Sequence, residues 1–174
     1  MANACLGAAS HLCGLLFQQS VKVDMTTVPY KGTAPAMTDL LGGQVDLMCD
    51  QTTNTTQQIE GGRIKAFAVT TPKRLTTATL AKLPTLDESG LKGFNVSIWH
   101  GMYAPKGTPK AVIDKLNVAL RTSLKDPEFI KRQEALGAVV VTDARLAGAE
   151  HKKFVEAEIG KWGPAIKAAG QYAD

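Results

Sequence analysis

A chain of 174 residues with net charge +4, 44% hydrophobic and 21% charged residues has a globular composition and the length of one domain or of parts of two. Its 20 lysines and arginines are scattered along the sequence, which argues against a nucleic-acid partner. No apolar run reaches the roughly 18 residues of a membrane span, and the opening MANACLGAASHLCGLLF lacks a basic leader and carries a His, so it reads as the start of a helix and not as a secretory signal.

Residues 7–10 (GAAS) lead into Leu12, Leu15 and Leu16 at helical spacing, which predicts a helix of about three turns. Residues 23–28 are rich in β-branched side chains and stop at Pro29, the pattern of a strand. The Lys31-Gly32-Thr33 loop follows. A helix comes next, with Pro35 in its first turn, Met37, Leu40 and Leu41 inward, and Gly42-Gly43 as its stop. Residues 45–50 read as the next strand and residues 54–60 as a short helix ended by Gly61-Gly62. The apolar run IKAFAVT, residues 64–70, predicts a strand buried on both faces of a parallel sheet. This alternation argues for an α/β sheet covered by helices.

Residues 71–93 carry two prolines and several threonines and read as a surface connection, whereas FNVSIWHGMYA, residues 94–104, reads as one long strand. The tail is helical. Thr108 and Pro109 form a cap and first-turn pair before Val112, Leu116, Ala119, Leu120 and Leu124. Asp126-Pro127-Glu128 starts a second helix ending at Gly137, and Asp143 can cap a last one with Val155, Ile159, Trp162 and Ile166 on one face. Pro164 inside that last pattern is expected to kink or break it. Cys5, Cys13 and Cys49 cannot all pair with one another, match no zinc-ligand spacing and read as small buried residues.

Two of the predicted helix starts have the chemistry of an anion site. A helix amino end offers unpaired backbone N–H groups and the positive pole of the macrodipole. Gly7, Ala8 and Ala9 are small enough to let an anion reach that backbone, and Ser10 adds a hydroxyl; the same small residues also suit close helix–strand packing. Gly32, Thr33 and Ala34 repeat the arrangement, with Thr33 either capping its own helix or facing a ligand. Tyr30 either lines a cleft or packs at the strand end, and Lys31 reads first as a solvated side chain. Asp50 closes a strand at the carboxyl edge of the sheet, where open α/β sheets hold their ligands. It either meets a ligand or an ordered water, or caps the following helix.

The series GAASHLCGLLF, VPYKGTAPAMTDLLGGQVDLMCD, IKAFAVTTPKR, LPTLDESGLKGF and APKGTPKAVIDKLN resembles, in order and spacing, the solute receptors of tripartite tricarboxylate transporters, the Bug-type or TctC-type extracytoplasmic binding proteins. The resemblance runs from about Ala8 to Gly170. It implies a periplasmic-binding-protein-like fold of the type II, Venus-flytrap kind, in which residues 1–96 are the second lobe and residues 97–174 a crossing strand and the returning helical part of an incomplete first lobe. It further implies capture of a small organic acid, a carboxylate or dicarboxylate, for membrane permease subunits, with Gly7, Ala8, Ala9, Ser10, Tyr30, Gly32, Thr33, Ala34 and Asp50 at the ligand. No cofactor, metal or nucleic acid is implied. Location follows the family to the periplasm, although the lack of a leader in these residues leaves the cytoplasm open for a truncated form. Two departures stand out: the family's first ligand loop has no counterpart here, and Cys5 or Leu6 stands where relatives often carry glycine.

Two other readings compete with a binding module. Cys49 and His100 could make a small-molecule hydrolase, but neither has a third orienting group that the sequence identifies, and His11, one residue inside the first helix, is no better placed. A truncated product that binds nothing is the other. Loss of the first-lobe strands is expected to uncover Leu116, Leu120, Val155, Ile159 and Trp162 and to favour a homodimer through exposed apolar surface.

Overall fold

The computed structural model describes residues 1–169, so the last five residues of the returning segment lie outside the described residues. Three backbone segments run parallel at its centre. β1 (Ala2–Asn3) pairs with β2 (Val28–Pro29), Ala2 opposite Val28 and Asn3 opposite Pro29. A bridge from Ala2 to Met48 puts residues 47–49 on the other side of β1. Successive side chains of β1 face opposite ways. Ala2 joins Ala36 and Val45 in one buried cluster, under Val28, Tyr30, Leu40 and Met48. Asn3 looks the other way, lining a small cavity with Ser10, His11 and Gly14. The first helix, α1 (Ala9–Val21), thus covers one face and α2 (Thr33–Leu41) the other.

α1 ends where Lys22 turns left-handed, at φ 56°. α3 (Thr52–Glu60) begins two residues earlier than its pattern suggests. Met37 is buried as expected, while Leu41 is exposed. The cysteine reading is corrected: Cys13 and Cys49 form a disulfide with Cα atoms 6.2 Å apart, and Cys5 is free and exposed. The bond lies in a second apolar cluster with Phe94 and Val96, flanked by Leu16, Phe17, Leu86, Leu91 and Trp162.

Strand content is lower than the composition suggests. Of residues 23–28 only Val28 joins a ladder. Of residues 64–70 only Val69 pairs, with Thr85, and Phe67 stays 64% exposed, so this run is not buried on both faces. Residues 94–104 form no ladder; Val96 donates to the Thr70 carbonyl at 2.9 Å and its own carbonyl accepts from Thr70 Oγ1 at 2.7 Å. β-branched composition permits a strand, but a neighbouring backbone must supply the hydrogen bonds. Here the described neighbours supply only isolated pairs.

The tail comprises α4 (Lys110–Ser123), α5 (Pro127–Ala135), a 3-10 turn (Ala144–Leu146) and α6 (Gly148–Ala169). Thr108 does not cap α4; its hydroxyl donates to the Pro105 carbonyl at 2.8 Å, and Pro109 is the flanking residue. Asp126 does cap α5, accepting from Phe129 N at 2.7 Å. Asp143 caps the 3-10 turn instead of α6, and Arg145 beside it holds its carboxyl down at about 2. α6 runs on through Pro164 without a break. Thr56 Oγ1 and Thr77 Oγ1 donate to the carbonyls of Leu136 (3.2 Å) and Glu134 (2.8 Å), tying the end of α5 to the first half of the chain. Trp99 and Trp162 both donate their indole N–H to Glu158 Oε2, at 3.2 and 3.1 Å. Of the tail positions expected to be uncovered, Leu116 and Ile159 are exposed, whereas Leu120, Val155 and Trp162 are half-buried. No described helix is long and apolar enough to cross a membrane.

Candidate functional site

Because β1, β2 and residues 47–49 are parallel, their carboxyl ends share one edge of the sheet, and each passes through a loop into α1, α2 or α3. Open α/β sheets place ligands at such an edge. The loops are tied together there: Gly32 N donates to the Ala4 carbonyl at 2.7 Å and Tyr30 N to that of Asn3 at 3.0 Å.

At the first loop Gly7 is left-handed, φ 75°. Its amide donates to His11 Nδ1 at 3.1 Å, and that of Ala8 to the Cys5 carbonyl at 3.2 Å. Both groups are therefore occupied within the loop, while the amides of Ala9 and Ser10 have no partner among the described residues. Ser10 is buried, and its Oγ accepts from Ala4 N at 2.9 Å, so the hydroxyl braces the loop. His11 Nδ1 does the same from the helix side by accepting from Gly7 N.

The second loop turns on Gly32, φ 111°, where an added Cβ would meet nothing within 4 Å. That openness leaves the backbone approachable. Thr33 is the first helical residue and not the cap, its side chain makes no hydrogen bond among the described residues, and the amides of Thr33 and Ala34 are likewise unpartnered. Tyr30 packs at the strand end: its ring lies on the Ala2 cluster and its hydroxyl donates to Asp39 Oδ2 at 2.8 Å. That carboxylate raises the phenol's pKa. Lys31 is exposed.

Asp50 is partly buried, and burial raises its carboxyl pKa against the opposing pull of two donors. These are Gln51 N at 2.8 Å and Asn54 Nδ2 at 3.3 Å, both to Oδ1. The structure adds a third helix start to the candidate site, one the sequence reading took as a helix for Asp50 to cap and not as an anion-facing end. Gln51 flanks α3, the amides of Thr52 and Thr53 are unpartnered among the described residues, and Gln51 Oε1 meets His100 Nε2 at 3.2 Å. The run QTTNT directly after Asp50, small and hydroxylated like the first two loops, was the available signal. Cys49 is held in the disulfide and His100 faces Gln51, so they form no cysteine–histidine couple. Three helix amino ends thus surround one sheet edge, an arrangement that attracts a small anion.

The family model described as tripartite tricarboxylate transporter family receptor matches residues 2–171. A protein of Agrobacterium vitis, described as the UPF0065 protein in the TAR-I ttuE-ttuC' intergenic region, is 49% identical over 166 residues, covering 95% of this chain and 47% of its own. Among solved structures, periplasmic binding protein BugD superposes with TM-score 0.90 at 56% identity, over 97% of this chain and 56% of that one. An R. palustris protein with adipate gives TM-score 0.89 at 34% identity, over 98% and 55% of the two chains. MatC from Rhodopseudomonas palustris with bound malate gives 0.85 at 36%, over 92% and 54%. The chain spans about half the length of the curated relatives it matches. Its α/β fold is that of part of a periplasmic binding protein, and the chain belongs to the tripartite tricarboxylate transporter receptor (TctC) family.

Proposed function

We propose that these residues form the ligand-holding second lobe, with the return of the first, of a receptor that binds a small organic acid, most simply a dicarboxylate. The boundary falls near residue 96, where the chain leaves Val96 for the α4 segment. One observation carries the reading: α1, α2 and α3 bring unpartnered first-turn amides to one sheet edge, with no arginine among residues 1–62. A carboxylate binds such amides without a countercharge. Asp50 would repel a carboxylate, so its role is toward a ligand hydroxyl, ammonium or water. Adipate and malate in solved relatives support the class of ligand.

The protein acts by binding and not by catalysis, delivers its ligand to membrane permease subunits, and works in the periplasm, where the Cys13–Cys49 disulfide is at home. Exposed Val112, Ile113 and Leu116 on α4 favour self-association when these residues are alone. The test is calorimetric titration of malate and adipate into this chain joined to the amino-terminal half of a relative. Saturable binding of at least one acid is expected. A folded, joined protein that takes up no carboxylate overturns the reading, and so does ester turnover that Cys49→Ala abolishes.

A further inference from the structure

Cys13 lies in the second turn of α1, and Cys49 immediately precedes Asp50. Their bond joins the helix whose amino end offers amides to the strand end that carries the acid. Little else does. Among the described residues, the segment 47–50 meets β1 through one backbone hydrogen bond, Ala2 N to the Leu47 carbonyl at 2.8 Å. The carboxylate's own partners, Gln51 N and Asn54 Nδ2, belong to the start of α3, which is tied to α5 through Thr56 and not to α1. Cys13 is 2% exposed and sits among Phe94, Val96, Leu16 and Phe17, so its end of the link is immobile.

We propose that the Cys13–Cys49 disulfide is a positioning element for ligand choice, fixing Asp50 at a set place relative to the α1 amides. This rests on the acid-binding reading above. An acid with a hydroxyl next to a carboxylate, such as malate, can donate to Asp50 while its carboxylate lies on the amides. Adipate has no such donor. The disulfide therefore matters for malate and little for adipate.

The test compares the oxidised form of the joined protein described above with its Cys13→Ala/Cys49→Ala variant, in which both thiols are removed so that exposed Cys5 finds no new partner. A second variant, Cys13→Val/Cys49→Ala, restores buried volume if the first folds poorly. Malate affinity is expected to fall about tenfold and adipate affinity less than about threefold. Exchange of the hydrogen-bonded amides of residues 54–56, at the start of α3, should quicken at least about tenfold, with residues 37–40 of α2 unchanged. Adding Asp50→Asn to the disulfide-free protein should leave the malate-to-adipate ratio where it is, whereas in the oxidised protein it should lower it. A merely stabilising bond would reduce both affinities together, keep the Asp50→Asn effect and leave local exchange unchanged, and that result overturns the proposal. If the joined oxidised protein binds neither acid, the acid-binding reading has failed, and exchange at residues 54–56 alone decides the role of the disulfide.

Discussion

Gly137→Ala tests how tightly the end of α5 closes on the ligand-bearing half. Gly137 has φ 77°, and a Cβ there would lie 2.6 Å from Leu80 Cδ1 and 2.9 Å from Thr52 Cβ. Leu80 is 1% exposed and has no room to swing aside, while Thr52 is the first residue of α3. The left-handed backbone costs an alanine roughly 1–2 kcal/mol, and crowding into a filled core about 1–3 kcal/mol. Reduced freedom of the unfolded chain returns about 0.4–1 kcal/mol. Taken at mid-range these leave a loss of about 3 kcal/mol, or roughly 6–12 °C in melting temperature for a chain of this size. Gly107→Ala supplies the control, because Gly107 has φ 88° but open space around it. Thermal and urea unfolding of both variants by circular dichroism separates strain from crowding. Equal losses in the two variants would refute the packing account of the α5–α3 junction.

Asp50→Asn should stabilise the protein at neutral pH, since burial raises the Asp50 pKa and the ionised form therefore carries a penalty in the folded state. That penalty disappears as pH falls through the raised pKa, so the gap between variant and wild type should close in mildly acid buffer; a gap that widens would contradict it. Lys31→Ala should change the affinity for any acid by less than about threefold, because the exposed ammonium is not what the backbone amides need; calorimetry that finds binding abolished removes the amide account. Reducing the disulfide, whose cysteines are 36 residues apart, should cost about 4 kcal/mol by loop-entropy reasoning, measured as the shift of the urea midpoint. A midpoint unmoved by reduction would mean that the link closes no loop of consequence.

Helices were legible where side chains carried both the period and the stop signals: α1 through Leu12, Leu15 and Leu16, α2 through Gly42-Gly43, and α5 through Asp126-Pro127 and Gly137. Strands were not, because a run such as IKAFAVT states its own preference but not whether a neighbouring backbone is there to pair with it. The two small-residue loops were visible as helix starts, yet which amides stay unpaired depends on contacts no pattern encodes. Ser10 turned inward to Ala4 and Gly7 was occupied by His11. The Cys13–Cys49 pair stayed hidden for the same reason, since spacing alone does not say that a helix and a strand end lie 6.2 Å apart.

The shared carboxylate of Glu158 has an optical consequence. Trp99 and Trp162 are the chain's two indoles, and both rest on one oxygen atom, where the segment after Val96 meets α6. Its tryptophan fluorescence therefore comes from a single spot at that junction. Any motion that slides the crossing segment along the helix breaks one or both of those bonds and changes the local field and water at the rings. Ligand titrations and unfolding can thus be followed by tryptophan emission without a dye, and Glu158→Gln is the variant that calibrates the signal.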